Sequence, residues 1–311
     1  MINNRKSLKS VGVLLILILT VWACQDNESP KLSSEQAKVQ TSVAAKDNAT
    51  IIASTQDALE LTSQAFDDEG LTSARAITSG RLDGHFHGDR YDCKPSISGT
   101  YSIDNSHKDT LIYSGSMTID YGDGSTCKDT VNVHKGKLTN AFSLIVSFHD
   151  SLTFSSTQTL TFVGFSKDST TLDGTFITKK ASGQPVTVEA DNAKITYPDG
   201  TSVSWSGTLT YTYEKGNSCQ WRDNTIHVTG SISGKNRNGV DFTATITEPL
   251  VYKYGCDINH HFIPVSGTIE LSLGGVISTI DFGDGSCDKK YTISINGTVT
   301  EYKFDGHADN D

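Results

Sequence analysis

The chain has 311 residues, with 26 Lys and Arg against 36 Asp and Glu, a formal net charge of −10. That balance disfavours nucleic acid, whose phosphates must be met by cationic side chains. It disfavours electrostatic docking on anionic lipid as well, and the length fits one large β domain or two small ones.

Arg5, Lys6 and Lys9 precede the apolar run Val11–Val21, which is followed by Trp22, Ala23 and Cys24. A basic segment, a short apolar segment and a small residue in that order describe a secretory signal. The run is too short for the ~20 residues of a bilayer-spanning helix. "VWAC" resembles a bacterial lipobox, in which the cysteine thiol takes a diacylglycerol and becomes the new N-terminus. The resemblance implies a signal peptide over 1–23 and lipid attachment at Cys24. Acyl chains such as palmitate add about 0.8 kcal/mol per buried methylene, so two or three of them anchor durably without a protein helix. Loss of the signal leaves 23 basic against 36 acidic groups, a net −13. Gln25, Asp26 and Glu28 resemble the acidic export signals of surface lipoproteins in Bacteroidota. The expected location is therefore the cell envelope, lipid-anchored to the outer membrane and exposed at the surface if that signal acts.

Residues 24–80 read as a tether, polar and aperiodic over 25–48. Within it, Thr50–Asp67 places Ile52, Leu59 and Phe66 seven apart, with Ala58, Leu61 and Ala65 beside them. That stripe predicts one helix over about 50–67. "STQD" offers a late N-cap, and Gly70 a stop. Next comes "DGHFHGDRYDC", in which His85, His87 and Asp89 copy the HxHxD that begins the zinc site of metallo-β-lactamases. Alternate residues on a strand share a face, so His85 and His87 can reach one ion. That fold also needs βα units and further histidines downstream, and neither is found. The expectation is solvated histidines, with no metal and no cofactor.

From residue 81 the period changes to two. "SVSWSGTLTYTYE" puts Val203, Trp205, Leu209, Tyr211 and Tyr213 on one face, and "AFSLIVSFHD" does the same with Phe142, Leu144, Val146 and Phe148. Strict alternation means antiparallel strands with one buried and one wet face. Roughly twelve such strands between Gly, Asp and Asn turns predict an all-β domain over 81–305, with 306–311 as a tail. The expected fold class is a large curved antiparallel sheet, either a sandwich or an open barrel, behind one short N-terminal helix.

Two phrases repeat: "TIDYGDGSTC" at 118–127 and "TIDFGDGSC" at 279–287. "ITYPDGTSVSW" is a third version without the cysteine. A calcium loop needs oxygens at alternate positions and a distal bidentate Glu; this phrase has neither, so Asp-Gly is read as a turn supplying φ > 0. Asp123 lies thirteen residues before Gly136, and Asp284 thirteen before Gly297. That spacing reads as a repeated hairpin. The phrase also looks like one found in PKD domains, but the flanking strand lengths and cysteine spacing do not fit that sandwich.

Beyond Cys24 there are five cysteines, none in a CxxC pair, which argues against a zinc knuckle. Disulfides are permitted outside the inner membrane, and the connectivity alone is open fifteen ways. The repeat favours Cys93–Cys127 and Cys256–Cys287, each pair enclosing an "SGT" strand, with Cys219 left as a free thiol. Each closed loop is worth about 3–4 kcal/mol in the chain-entropy model.

Several stretches in order resemble an uncharacterised family of β-rich lipoproteins from Bacteroidota. The likeness rests on Trp205-Ser206-Gly207-Thr208, Asn236-Arg237-Asn238-Gly239, Thr247-Glu248-Pro249-Leu250, Cys256, and the run from Phe282 to Cys287. It covers roughly residues 90–303 and implies location and architecture, with no activity to transfer. Cys219 has no counterpart in it.

No HExxH, GxSxG or phosphate-binding glycine loop occurs. Asp-Ser/Thr-apolar triplets at Thr110, Thr130 and Ser151, and the variant at Ser169 with Thr170 following, resemble the acceptor motif for protein O-glycosylation in Bacteroidota. The expected role is a non-catalytic structural or interaction module, not an enzyme, held to a membrane by its N-terminal lipid, with a protein or glycan partner left open. The alternative is a carrier of an apolar ligand inside a curled sheet, lined by Trp205, Tyr211, Phe142, Phe148 and Phe162. Closure separates the two: a filled interior favours the first, an open apolar mouth the second.

Overall fold

The computed structural model describes residues 34–68, 80–82, 95–125, 134–167, 170–216, 224–256 and 263–303. The strands are β1 (Gly80–Leu82), β2 (Ser96–Asp104), β3 (Thr110–Gly122), β4 (His134–Ser147), β5 (Thr153–Lys167), β6 (Thr170–Ala181) and β7 (Val186–Thr196). They continue as β8 (Ser202–Glu214), β9 (Thr225–Lys235), β10 (Asp241–Lys253), β11 (Ser266–Leu273), β12 (Val276–Asp284), β13 (Lys290–Ile295) and β14 (Thr298–Lys303). All fourteen lie in one antiparallel sheet in chain order, so each pairs only with its sequence neighbours and the sheet is open. Only short connections are needed for such a meander, and short polar turns are what separate the strands in the sequence.

The period-two pattern decides which way each side chain points. Met117, Ile119, Leu160, Phe176, Ile195 and Val203 are fully buried on one face. Their strand neighbours Thr118, Thr161, Thr175 and Ser204 stay partly exposed on the other. On that outer face hydroxyls meet across strands, as Ser102 meets Ser114 at 3.1 Å and Thr247 meets Thr268 at 2.6 Å.

Register slips by one or more residues at eight of the pairings that describe the sheet, including Asp120/Gly122, Phe162/Phe165, Asp173/Thr175 and Ser266/Thr268. Bulges of this kind bend strands and increase twist, and here they fall on most strands in turn, which curls the sheet around its apolar face. Glycine is required at these corners. At Gly136 (φ 78°) a Cβ would lie 2.0 Å from the Gly164 carbonyl oxygen, and at Gly207 (φ 152°) 2.3 Å from that of Ser231. The glycines of the "SGT" triplets, Gly99, Gly207 and Gly267, are positions where strands approach too closely for a side chain, the last two at bulges and Gly99 in unbroken register.

The helix α1 spans Ser34–Asp68, beginning sixteen residues before the predicted start at 50, so most of the predicted linker is helical. Its buried side chains are Thr41, Ala44, Ala45, Asp47, Asn48, Ile51, Ile52 and Thr55. The spacing is helical, but the early part of the stripe is made of small and polar residues, which an apolar count passes over. The predicted N-cap "STQD" lies inside the helix, where Thr55 Oγ1 instead donates to the Ile51 carbonyl at 2.8 Å. The side of α1 that carries these residues packs on β11, β12 and β13. Ile52 of the predicted stripe is buried. The side chains of Ala58, Leu59, Leu61, Ala65 and Phe66 lie outside the described set.

Candidate functional site

A buried polar cluster joins α1 to the sheet. Asp47, with a side chain only 3 % exposed, accepts at its Oδ1 from the Tyr197 hydroxyl at 2.8 Å and from Arg237 Nε at 3.0 Å, and also pairs with Arg237 Nη2. The Arg237 guanidinium lies 4.0 Å over the centroid of the Tyr197 ring. Tyr197 begins the β7–β8 turn, where Tyr197 N–H donates to the Thr201 carbonyl and Gly200 N–H to the Tyr197 carbonyl. Arg237 occupies the β9–β10 turn, which Asn236 holds by accepting from the amides of Asn238 and Val240. Two hairpin tips therefore present one base and one phenol to one carboxylate. Burial, then the Asp47 charge, push the Tyr197 pKa up. Burial works against the Arg237 charge, and the hydrogen bonds and charge of Asp47 outweigh it, so its pKa is raised too. Charge is matched inside the trio and all three bonds converge on Oδ1, leaving Asp47 Oδ2 buried without a hydrogen-bond partner, and the trio acts as a clasp for α1. "YPDG" marked one of the two turns in the sequence, "NRNG" stood out only in the family likeness, and nothing there marked Asp47 as their common partner.

The acidic glycine phrases are turns. Asp120 Oδ1 accepts from Gly122 N–H at 2.9 Å and Asp123 Oδ1 from Ser125 N–H at 2.9 Å. Asp281 and Asp284 repeat both bonds, to Gly283 at 2.8 Å and to Ser286 at 3.1 Å. Each carboxylate thus folds back on the backbone two residues ahead, an Asx turn. The Ser125 hydroxyl and amide lower the Asp123 pKa, and those of Ser286 lower that of Asp284. The thirteen-residue repeat fails, however. Gly136 is a bulge residue near the start of β4, opposite Gly122, whereas Gly297 lies in the β13–β14 turn. Equal spacing here joins unlike positions.

Cys256 and Cys287 form a disulfide with 5.3 Å between Cα atoms, tying the end of β10 to the loop after β12. Cys93, Cys127 and Cys219 lie outside the described residues, as do Cys24 and the zinc candidates His85, His87 and Asp89. Among the described residues no group of three or more His, Cys, Asp or Glu is placed to hold a metal, and no helix is long and apolar enough to cross a membrane. His134 packs its ring on Tyr121 at 5.2 Å between centroids, and His227 faces Glu214 at 3.2 Å.

The aromatic side chains expected to line a cavity divide. Phe162, Trp205 and Tyr211 are buried, and Phe176 bridges the first two at 5.5 and 6.2 Å between ring centroids. They fill the interior. Phe142 is buried as well, but Phe148 is 50 % exposed. A shallow open groove, lined by Asn192, Lys194, Ser206, Ser233 and Lys235 together with Trp205 and Phe242, is mixed polar and apolar. Comparison with known proteins returns no matching family model, no similar characterised protein and no similar solved structure.

Proposed function

We propose that the chain is a lipid-anchored protein of the cell envelope, held at the outer membrane through an acylated Cys24. In this reading its β domain serves as a non-catalytic structural or interaction module. The observation that carries the reading is the order basic segment, apolar run, Ala23, Cys24 at the N-terminus. Two features support the non-catalytic part: the clasp carboxylate and the turn carboxylates are engaged by their own scaffold, and the large aromatic side chains pack on one another. The resemblance to β-rich lipoproteins of Bacteroidota belongs to the same proposal. Replacing Cys24 by Ser is expected to move the chain from the membrane fraction to the soluble fraction and to abolish incorporation of labelled palmitate. A wild-type chain that takes up no palmitate and leaves the membrane on a salt wash would sink the reading. Protease added to intact cells reports which membrane face the domain occupies.

One observation favours the second reading, a binder of an apolar ligand. Along β4 the inward-facing residues pass from buried Leu138 through half-buried Leu144 and Val146 to exposed Phe148. At that corner the apolar side of the sheet is open, although the rest of it is filled.

A further inference from the structure

The open corner has a definite outline. In register, Leu111 of β3 faces Val146 of β4, which faces Phe154 of β5; one step inward, Tyr113 faces Leu144, which faces Ser156. None of these six is buried. Three large apolar side chains exposed among the described residues fall together after β4, namely Phe148, Leu152 and Phe154, the last two 72 % and 37 % exposed; Ile145, also exposed, lies on the outer face of β4. The other five are scattered along the chain, so this concentration is a feature of one place. Lys180 of β6 lies opposite Ser156 on the same face, its ammonium 5.7 Å from the centroid of the Phe154 ring.

Size and charge choose the occupant. Three strands ~4.8 Å apart, each giving about five residues at ~3.3 Å, make a shelf of roughly 250 Å². A stable protein interface takes about 800 Å² from each partner, so neither a second copy nor a folded partner is held by this shelf alone. A single alkyl chain is narrow and needs no more. At the rim the Lys180 ammonium supplies the counter-charge for an acidic head.

We propose that this corner binds one long-chain fatty acid. Its carboxylate sits at Lys180, and its alkyl chain crosses Phe154, Val146 and Leu111. The inference deepens the apolar-ligand reading above and rests on it. The test uses the full chain carrying Cys24→Ser, so that no covalent acyl group competes, with a diazirine-bearing palmitic acid as the probe. Light-induced labelling is expected within residues 144–156 and to be displaced by palmitate. Uncharged hexadecanol should displace it about tenfold less well, the worth of ~1.4 kcal/mol, and Lys180→Ala should erase that difference. Phe148→Ser with Leu152→Ser should weaken labelling about tenfold or more. Both side chains are exposed, so the core is untouched, and the melting temperature checks this. Ile277→Ser, at an exposed apolar position elsewhere, should change nothing. Label saturating at other inward residues would overturn this site and leave the apolar-ligand reading standing. No saturable label anywhere would overturn both. Flotation with phosphatidylcholine vesicles, lost in the Phe148→Ser and Leu152→Ser chain and without palmitate labelling, would replace the fatty acid by a bilayer surface.

Discussion

Gly207 shows how much a single position carries. Its φ of 152° and the 2.3 Å that would separate a Cβ from the Ser231 oxygen mean that alanine must push β8 away from β9. Gly207→Ala is expected to cost about 3 kcal/mol or more, by backbone strain and lost pairing together. Gly200, with nothing within 4 Å of a Cβ, should cost only about 1 kcal/mol for its positive φ. Urea unfolding of the two variants measures the gap. Equal losses would mean the corner glycines do not bend the sheet. Arg237 is a second such position: Arg237→Ala leaves the Asp47 carboxylate buried with the Tyr197 hydroxyl alone. A loss of about 3 kcal/mol is expected, and Asp47→Asn in the same chain should restore part of it.

The elements differ in how legible they were. Strands with strict alternation, such as β8 and β4, were legible because burial on one face dictates period two, but Tyr213 at the end of β8 is exposed and β4 stops at Ser147, before the expected Phe148. The helix α1 was half legible. Ile51 and Ile52 announce its middle, but Thr41, Ala44, Asp47 and Asn48 bury themselves by hydrogen bonding and small size, which hydropathy does not record. The register of the corner glycines was invisible, since "SGT" reads as strand wherever it falls. The disulfide tests element-level stability directly. Cys256–Cys287 encloses β11 and β12 in a loop of separation 31, so Cys287→Ser should cost about 3 kcal/mol, with far-UV circular dichroism unchanged. A variant as stable as the parent would show that the strands alone hold that end.

Across the whole molecule, stability should fall at both ends of the pH scale. The carboxylates of Asp120, Asp123, Asp199 and Asp284 have folded pKa values depressed by the turn groups they bind. Their contribution is present above the usual value near ~4 and lost as pH falls through the depressed values. Tyr197, Tyr211 and Tyr252 have folded pKa values raised, chiefly by burial. Their contribution is complete below the unfolded value of ~10 and lost as pH rises beyond it, each tyrosine removing about 1.4 kcal/mol per pH unit. Denaturant midpoints from pH 3 to 12 (roughly the span of these groups) should trace a plateau falling at both ends, steeper on the alkaline side. A flat alkaline limb would contradict the buried tyrosines.

At the same scale, all-β character and a large antiparallel sheet were legible from the repeated alternation, with sandwich and open barrel left as alternatives. Its openness was not, because closure depends on what the first and last strands meet. The clasp was hidden for the same reason: Asp47 and Arg237 are 190 residues apart, and no local pattern links them. The proposed anchor rests on a local pattern, the residues that end at Cys24. The mass of the N-terminal peptide from membrane-extracted protein therefore tests the account most directly. The account predicts a peptide that begins at Cys24 and carries a diacylglycerol. A chain that still begins at Met1, or one cut elsewhere with Cys24 bare, would contradict it.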